Sequence, residues 1–381
     1  MNLEVSTPAG ITPVLIVTAH PEFMDVAFDE LKRLDRRLQS VELLSPGILL
    51  CGYPQEMQDS TVLMRLAQEQ RPIFVRHLAP VQVIVCLSNT GDDIGALALA
   101  IADLPTFTLL EAGQRFAVQT RLLQTDAKTT FASIGKRAYS SGYVNQLLAG
   151  AVTEETGAVE SVKKPQIVIS LLCTLEKGYL GISLAKDNLS DWPGGARHFA
   201  QTSEQISRAE FKLLEALETF GVSLAAPGTA LDLGAAPGGW TRLLSGAGMN
   251  VVAVDPAKLD PRLARQAHLE HYRGYAEAYL EDAIKRHRRF DVITNDMRMD
   301  AREAARLLVE AGACLSPDGF IISMLKLPHA TPEIDPQRNL REALRLLSRH
   351  YGIVQARQLF HNRQEVTVLT ARPLSKQLKP S

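Results

Sequence analysis

Apolar residues fall in short blocks whose spacing changes along the chain. Pro13 to Thr18 and Ile48 to Gly52 are nearly continuous apolar runs, the pattern of buried strands. Phe23 to Leu38 repeats apolar residues at helical intervals, so residues 13–75 predict strand, helix, strand, helix. A second block runs from about Phe74 to Ala185. It predicts strands at Val81 to Leu87, Arg115 to Leu122 and Gln166 to Leu172, and helices at Asp92 to Leu104 and Ile134 to Leu148. Alternation of such short elements suggests a small α/β module. Between Ala185 and Ile206 the periodicity is lost, and Asp-Asn, Ser-Asp and Trp-Pro-Gly-Gly mark a linker. After Ser207 the pattern is strongly βαβ. Strands are expected at Ala230–Leu233, Val251–Val254, Val292–Thr294, Phe320–Met324 and Val366–Leu369, in a mostly parallel sheet with helices on both faces.

The expected fold class is therefore α/β throughout, with segments 1–75, 76–187, a linker at 188–206, a Rossmann-like domain at 207–375 and a tail at 376–381. A length of 381 residues suits two or three domains. Hydrophobic and charged fractions of 46% and 22% exclude a disordered chain or a fibre. Cys51, Cys86, Cys173 and Cys314 form no C-x-x-C pair and sit in or beside apolar stretches, which predicts reduced thiols rather than disulfides or a metal site. The first apolar run is too short for a signal peptide or a membrane span, so a cytoplasmic protein with no membrane partner is expected. A net charge of −1 means that any nucleic-acid binding must come from local basic patches.

The most informative string is Asp232-Leu-Gly-Ala-Ala-Pro-Gly-Gly-Trp240. An apolar strand enters a glycine-rich turn and a helix follows. Small residues let a ligand approach the backbone at the carboxyl end of the strand, and amides at the helix start can meet polar groups. Asp255 ends the next strand, 21 positions after Gly234, where a carboxylate can take both hydroxyls of a ribose. A nicotinamide dinucleotide site would use the same place. Pro237 inside the turn argues against it, because proline removes an amide donor from the pyrophosphate cradle.

This string resembles the S-adenosylmethionine loop of the FtsJ-like ribose methyltransferases. The resemblance implies that Gly234, Ala235, Ala236, Pro237, Gly238, Gly239 and Trp240 hold the methionine end of S-adenosylmethionine and Asp255 its ribose, with Asp232 and Asp296 also in the cofactor site. The family's aspartate after the third strand is absent. His271-Tyr-Arg-Gly-Tyr-Ala-Glu stands there, leaving Glu277 or a backbone group to meet the adenine.

Four polar residues stand at the edges of predicted elements: Lys212 before the first strand of the βαβ block, Asp296 after the fourth, Lys326 after the fifth and Glu365 at the start of the last. Open α/β sheets place their chemistry at such strand ends. The four match the catalytic Lys-Asp-Lys-Glu tetrad of the FtsJ-like family in its order. A ribose 2′-hydroxyl is a weak nucleophile that must shed a proton as it takes a methyl group. A lysine can serve as base only if its pKa is lowered, which burial and a second cation do and carboxylates oppose. Lys326 is the expected activating residue, Asp296 and Glu365 orient the lysines, and Lys212 positions the hydroxyl.

Arg115-Phe-Ala-Val-Gln-Thr-Arg, Ser133-Ile-Gly-Lys-Arg and Pro165-Gln-Ile-Val-Ile-Ser resemble a THUMP domain, which with a ferredoxin-like subdomain at 13–74 implies binding of structured RNA. Arg115, Arg121, Lys128, Lys136, Arg137, Lys163 and Lys164 would then be phosphate contacts. Gly181-Ile-Ser-Leu-Ala-Lys-Asp-Asn, Leu325-Lys-Leu-Pro and Ala356-Arg-Gln-Leu-Phe-His-Asn-Arg-Gln-Glu-Val are similar to the bacterial family of large-subunit (23S) ribosomal RNA cytidine 2′-O-methyltransferases with an N-terminal THUMP module. Ribosomal RNA is the substrate this implies. The alternatives are a transfer RNA 2′-O-methyltransferase and, from another class, an RNA-binding or assembly protein with an inactive methyltransferase fold.

Overall fold

The computed structural model describes residues 10–54, 60–123, 137–266, 268–329 and 335–374. The chain divides into two units, Met1–Arg197 and His198–Ser381.

The first unit carries two sheets. Strands β1 (Ile11–Thr18), β2 (Gln39–Ser45), β3 (Ile48–Pro54) and β4 (His77–Pro80), with helices α1 (Met24–Leu34) and α2 (Thr61–Gln70), follow a βαββαβ order. Their antiparallel sheet reads β2-β3-β1-β4, a ferredoxin-like arrangement. The expected helix through Leu38 stops at Leu34, and the next residues form β2, a strand that the apolar pattern hides because it is largely exposed. β4 completes this sheet, so the sheet reaches Pro80, past the boundary expected at 75.

The second sheet, β5-β9-β8-β6-β7, comprises β5 (Val83–Cys86), β6 (Arg115–Leu122), β7 (Val159–Glu160), β8 (Ile167–Cys173) and β9 (Lys177–Leu184). Helices α3 (Asp92–Ala102) and α4 (Ser141–Thr156) bury Leu97, Ile101, Val144 and Leu148 against Phe116, Ile167 and Ile169. Ile16, Ile48 and Leu50 of the first sheet join Leu172 and Tyr179 of the second in one apolar cluster.

Two of the expected phosphate contacts are half-buried and engaged by the fold. Burial lowers the pKa of the Arg121 guanidinium, which packs beside Gly194. Arg137 donates to the carbonyls of Leu123 and Cys173 at 3.3 and 2.9 Å. Arg115, Lys163 and Lys164 are exposed, while Lys128 and Lys136 lie outside the described residues.

In the second unit a seven-stranded sheet is ordered β12-β11-β10-β13-β14-β16-β15. Strands β10 (Thr229–Leu233), β11 (Asn250–Val254), β12 (Leu269–Tyr272), β13 (Phe290–Asn295) and β14 (Leu315–Lys326) are parallel. β16 (Glu365–Pro373) inserts antiparallel between β14 and β15 (Tyr351–Arg357). Helices α5 (Ala209–Phe220), α6 (Gly239–Gly246), α7 (Ala276–Lys285), α8 (Ala301–Ala311) and α9 (Pro336–Ser348) cover the faces. The strand order reverses between β10 and β13, and such a reversal opens a crevice at the strands' carboxyl ends. The five strands expected from the sequence are present, β12 is the third strand of the expected order near His271, and β15 is additional. β12 is short and only partly buried, and β15 has exposed positions that blur its alternation.

Candidate active site

The turn after β10 has the shape its glycines dictate. Gly234 has φ of 72° and Gly238 of 112°. A Cβ at either would come within 2.3 Å of a neighbouring side chain, Met297 at the first and Leu263 at the second. Neither position accepts a side chain. Asp255, just beyond β11, accepts the Ala236 N–H at 3.0 Å and the Ala257 N–H at 2.8 Å, tying the turn to the next strand. Gly234, Ala236, Pro237 and Asp255 reach the surface here.

Other expected cofactor residues turn inward. Asp232 is 2% exposed, and its two oxygens accept the hydroxyls of Thr241 at 2.6 Å and Thr294 at 2.9 Å. Burial pushes its pKa up to about 6 against these hydrogen bonds. Trp240 is buried, and its indole N–H donates to the Ala209 carbonyl at 2.6 Å. Asp232 thus braces the turn from behind, and Trp240 pins the start of α5. Ala235, Gly238 and Gly239 are buried as well. The loop N–H groups of Gly234, Ala235 and Ala236 are used within the protein, so the open side of the turn offers acceptors, the Asp255 carboxylate and loop carbonyls, which fit a ligand bearing hydroxyl groups and positive charge.

The four tetrad residues meet. Lys212 lies 2.6 Å from Glu365 Oε1 and 3.3 Å from Asp296 Oδ2. Lys326 contacts the other oxygens of the same carboxylates, Asp296 Oδ1 and Glu365 Oε2. Two cations and two anions alternate around a closed ring. The fold explains each place. Lys326 and Glu365 are register partners across β14 and β16. Asn295 holds Ser323 on the neighbouring strand at 2.9 Å and accepts the Met297 N–H at 3.1 Å, which wraps the turn around Asp296. Lys212 rides on α5, anchored by Leu213 and Ala216 in the apolar cluster with Ile322, Met324 and Leu369.

The ring sets the charge state of Lys326. Burial alone would lower the pKa of Lys326, but Asp296 and Glu365 outweigh it and the net shift is upward. Burial raises the Glu365 carboxyl, yet Lys212 and Lys326 overcome that and leave it lowered. In this state Lys326 is an ammonium and not a ready base.

The ring borders a cleft that also takes in Ala236 of the turn, Arg208, Arg298 and Arg363. Two buried carboxylates on α5 escape a reading by pattern. Glu210 pairs with Arg242 and accepts the Ile206 N–H at 2.7 Å. Glu215 accepts the Phe360 and His361 amides at 2.8 and 2.9 Å. On a helix each looks like a solvated position, and its partner is distant in sequence or before the helix start.

Residues 205–329 match the family model described as FtsJ-like methyltransferase. Ribosomal RNA large subunit methyltransferase M of Marinobacter nauticus is 30% identical over 266 residues, 67% of this chain and 70% of the relative. The protein of the same name from Xanthomonas oryzae pv. oryzae is 29% identical over 279 residues, 70% of this chain and 76% of the relative. The chain belongs to the FtsJ-like methyltransferase family. Among solved structures, TrmN from Thermus thermophilus is 19% identical, with a TM-score of 0.38 over 94% of this chain and 100% of that one.

This FtsJ-like methyltransferase lacks an acidic residue at the third strand's end, as its sequence indicates. β12 ends without an aspartate, and Glu277, the expected substitute, is exposed in the first turn of α7. Among the described residues no helix is long and apolar enough to cross a membrane.

Proposed function

We propose that this methyltransferase transfers a methyl group from S-adenosylmethionine to a ribose 2′-hydroxyl of structured RNA, with large-subunit ribosomal RNA as substrate. The observation that carries the proposal is the closed ring of Lys212, Asp296, Lys326 and Glu365, opening on the same cleft as the Ala236 turn. The relatives' names support ribosomal RNA as the substrate.

S-adenosylmethionine supplies an electrophilic methyl on a cationic sulfur. The Gly234, Ala236 and Pro237 backbone and the Asp255 carboxylate would hold it. Lys212, fixed by both carboxylates, donates to the hydroxyl oxygen and sets its direction. Lys326 takes the hydroxyl proton once its own ammonium has been discharged. Asp296 and Glu365 resist that discharge, and positive charge brought into the cleft favours it. Positioning contributes most. In-line placement is worth up to about 7–11 kcal/mol, against roughly 10²–10⁴-fold for proton transfer. The first unit, through its ferredoxin-like sheet and its THUMP-like sheet, serves as the RNA-binding module, with Arg115, Lys163 and Lys164 as its phosphate contacts.

Ribose methylation mapped across all RNA of a strain lacking this gene tests the proposal. One ribosomal ribose should lose its methyl group and regain it when purified protein and S-adenosylmethionine are added to the isolated RNA. An unchanged map, or loss confined to transfer RNA, would reject it in this form.

A further inference from the structure

One wall of the tetrad cleft is aromatic. Phe211 precedes Lys212 on α5, while Phe360 and His361 occupy the turn between β15 and β16, just ahead of Glu365, and all three line the cleft. Their rings form one network. Phe211 and His361 lie 5.3 Å apart at 49°, Phe360 meets His361 edge-on at 5.2 Å, and Phe199 stacks on Phe211 at 5.7 Å. The rings remain partly exposed, whereas the aliphatic cluster behind them, Leu213, Ala216 and Met324, is fully buried.

The turn is held from below by Glu215. This buried carboxylate accepts the Phe360 and His361 amides and also contacts His361 Nδ1 at 2.7 Å. Three hydrogen bonds to one buried charge fix the backbone and one ring of a surface turn. Burying a carboxylate is unfavourable unless it is so bonded. An ordinary connection between two antiparallel strands has no need of such a support.

We infer that Phe211, Phe360 and His361 form the platform on which the base of the target nucleotide stacks, an inference that rests on the ribose-hydroxyl reading above. A nucleotide whose 2′-hydroxyl meets the tetrad carries its base one glycosidic bond from the ribose, within reach of this wall. To enter the cleft it must leave the stack of its own RNA, and aromatic side chains replace the stacking it loses. Arg208, Arg298 and Arg363 around the cleft suit the phosphates on either side of a splayed nucleotide. A polyanionic chain with an extruded base matches both features. Stacking accepts any base, so the platform sets position and leaves sequence choice to other contacts.

The test crosses ring removal with base removal. The ribose mapped above is placed in a synthetic RNA fragment, once intact and once abasic with its 2′-hydroxyl retained, and methyl transfer is followed with labelled S-adenosylmethionine. The wild type should lose about tenfold or more in kcat/KM on the abasic fragment, mainly through KM. Phe360→Leu should lose a similar factor on the intact fragment and nothing further on the abasic one. Phe360→Tyr, which keeps an aromatic face, should stay within about twofold of wild type on both. Unchanged S-adenosylmethionine affinity shows that the variants are folded. Equal losses by Phe360→Leu on both fragments would make the ring merely structural and overturn the inference, as would equal turnover of both fragments by the wild type. If the wild type methylates neither fragment, the ribose reading itself fails and the platform falls with it, an outcome recognisable because no substrate turns over.

Discussion

Lys326 closes β14 directly opposite Glu365, which opens β16, and the two side chains are in contact. The other oxygen of Glu365 meets Lys212, so one carboxylate fixes both lysines. Glu365→Gln keeps the shape and removes the charge, leaving Asp296 alone to hold two ammonium groups. Methyl transfer should fall by about 10²-fold or more, the scale of proton-transfer and orientation effects, while S-adenosylmethionine affinity stays within about twofold. Single-turnover rates and calorimetry measure the two. A near-normal rate would remove the ring from the mechanism.

The raised pKa of Lys326 gives the reaction a pH dependence with a definite sign. A base held as ammonium becomes available only as pH rises, so the single-turnover rate should climb about tenfold per unit from pH 6 to 8. Lys326→Ala should abolish transfer and leave S-adenosylmethionine affinity nearly unchanged. Lys326→Arg should also fail, because guanidinium stays protonated and is too broad to replace an ammonium between two carboxylates. A flat pH profile, or near-normal rates with arginine, would mean that only positive charge is required there.

Asp255 is already engaged with the turn through the Ala236 amide. Asp255→Ala therefore removes a ligand group and a support for the loop together. Affinity for S-adenosylmethionine should drop by at least about 1 kcal/mol, roughly fivefold. Binding of NADH in place of S-adenosylmethionine would contradict the cofactor assignment.

What the sequence made legible was local. The glycine turn, Asp255, Asp296, Lys326 and Glu365 all lie at strand ends, where apolar and polar runs meet, and Lys212 lies in the first turn of α5. The missed features are tertiary. Glu215 becomes a buried anchor only because a turn some 145 residues later folds onto it. Asp232 reads like a ligand group, since the pattern cannot show that Thr241 and Thr294 converge on it from α6 and β13. Arg121 alternates as a surface residue of β6 but is covered by the Gly194 segment. The direction of the Lys326 shift depends on two contacts, one of them with Glu365 across the sheet, and spacing gives no measure of either.

The two units allow a division of labour to be tested. A fragment spanning 198–381 holds the turn, Asp255 and the ring, and should bind S-adenosylmethionine with affinity within a few-fold of the whole chain. It should lose most of its activity on structured RNA if the first unit supplies the RNA contacts. Full activity of the fragment would exclude the first unit from substrate binding.

Asp232 supplies a prediction about stability. Its folded pKa of about 6 lies above the ordinary 3.8, so the folded state favours the protonated form. The contribution is fully present below pH 3.8 and is lost as pH rises through about 6, leaving a buried anion at pH 8. Two pKa units correspond to roughly 3 kcal/mol, an upper figure for that burden. Asp232→Asn removes the charge. Its carbonyl can still accept one threonine hydroxyl, and its amide can donate to the Thr294 oxygen if that hydroxyl turns to the Leu231 carbonyl, 3.5 Å away. The variant should melt at or above the wild-type temperature at pH 8, and the difference should shrink at pH 5. Glu365 is lowered below the usual 4.5 and Lys326 raised above 10.5, so neither titrates in that window. Asp232→Ala, which strands both hydroxyls, should be destabilised at both pH values. Thermal unfolding of the three proteins at the two pH values decides the matter. Equal destabilisation of the asparagine variant at pH 5 and pH 8 would show that the brace depends on shape, with no penalty from the charge.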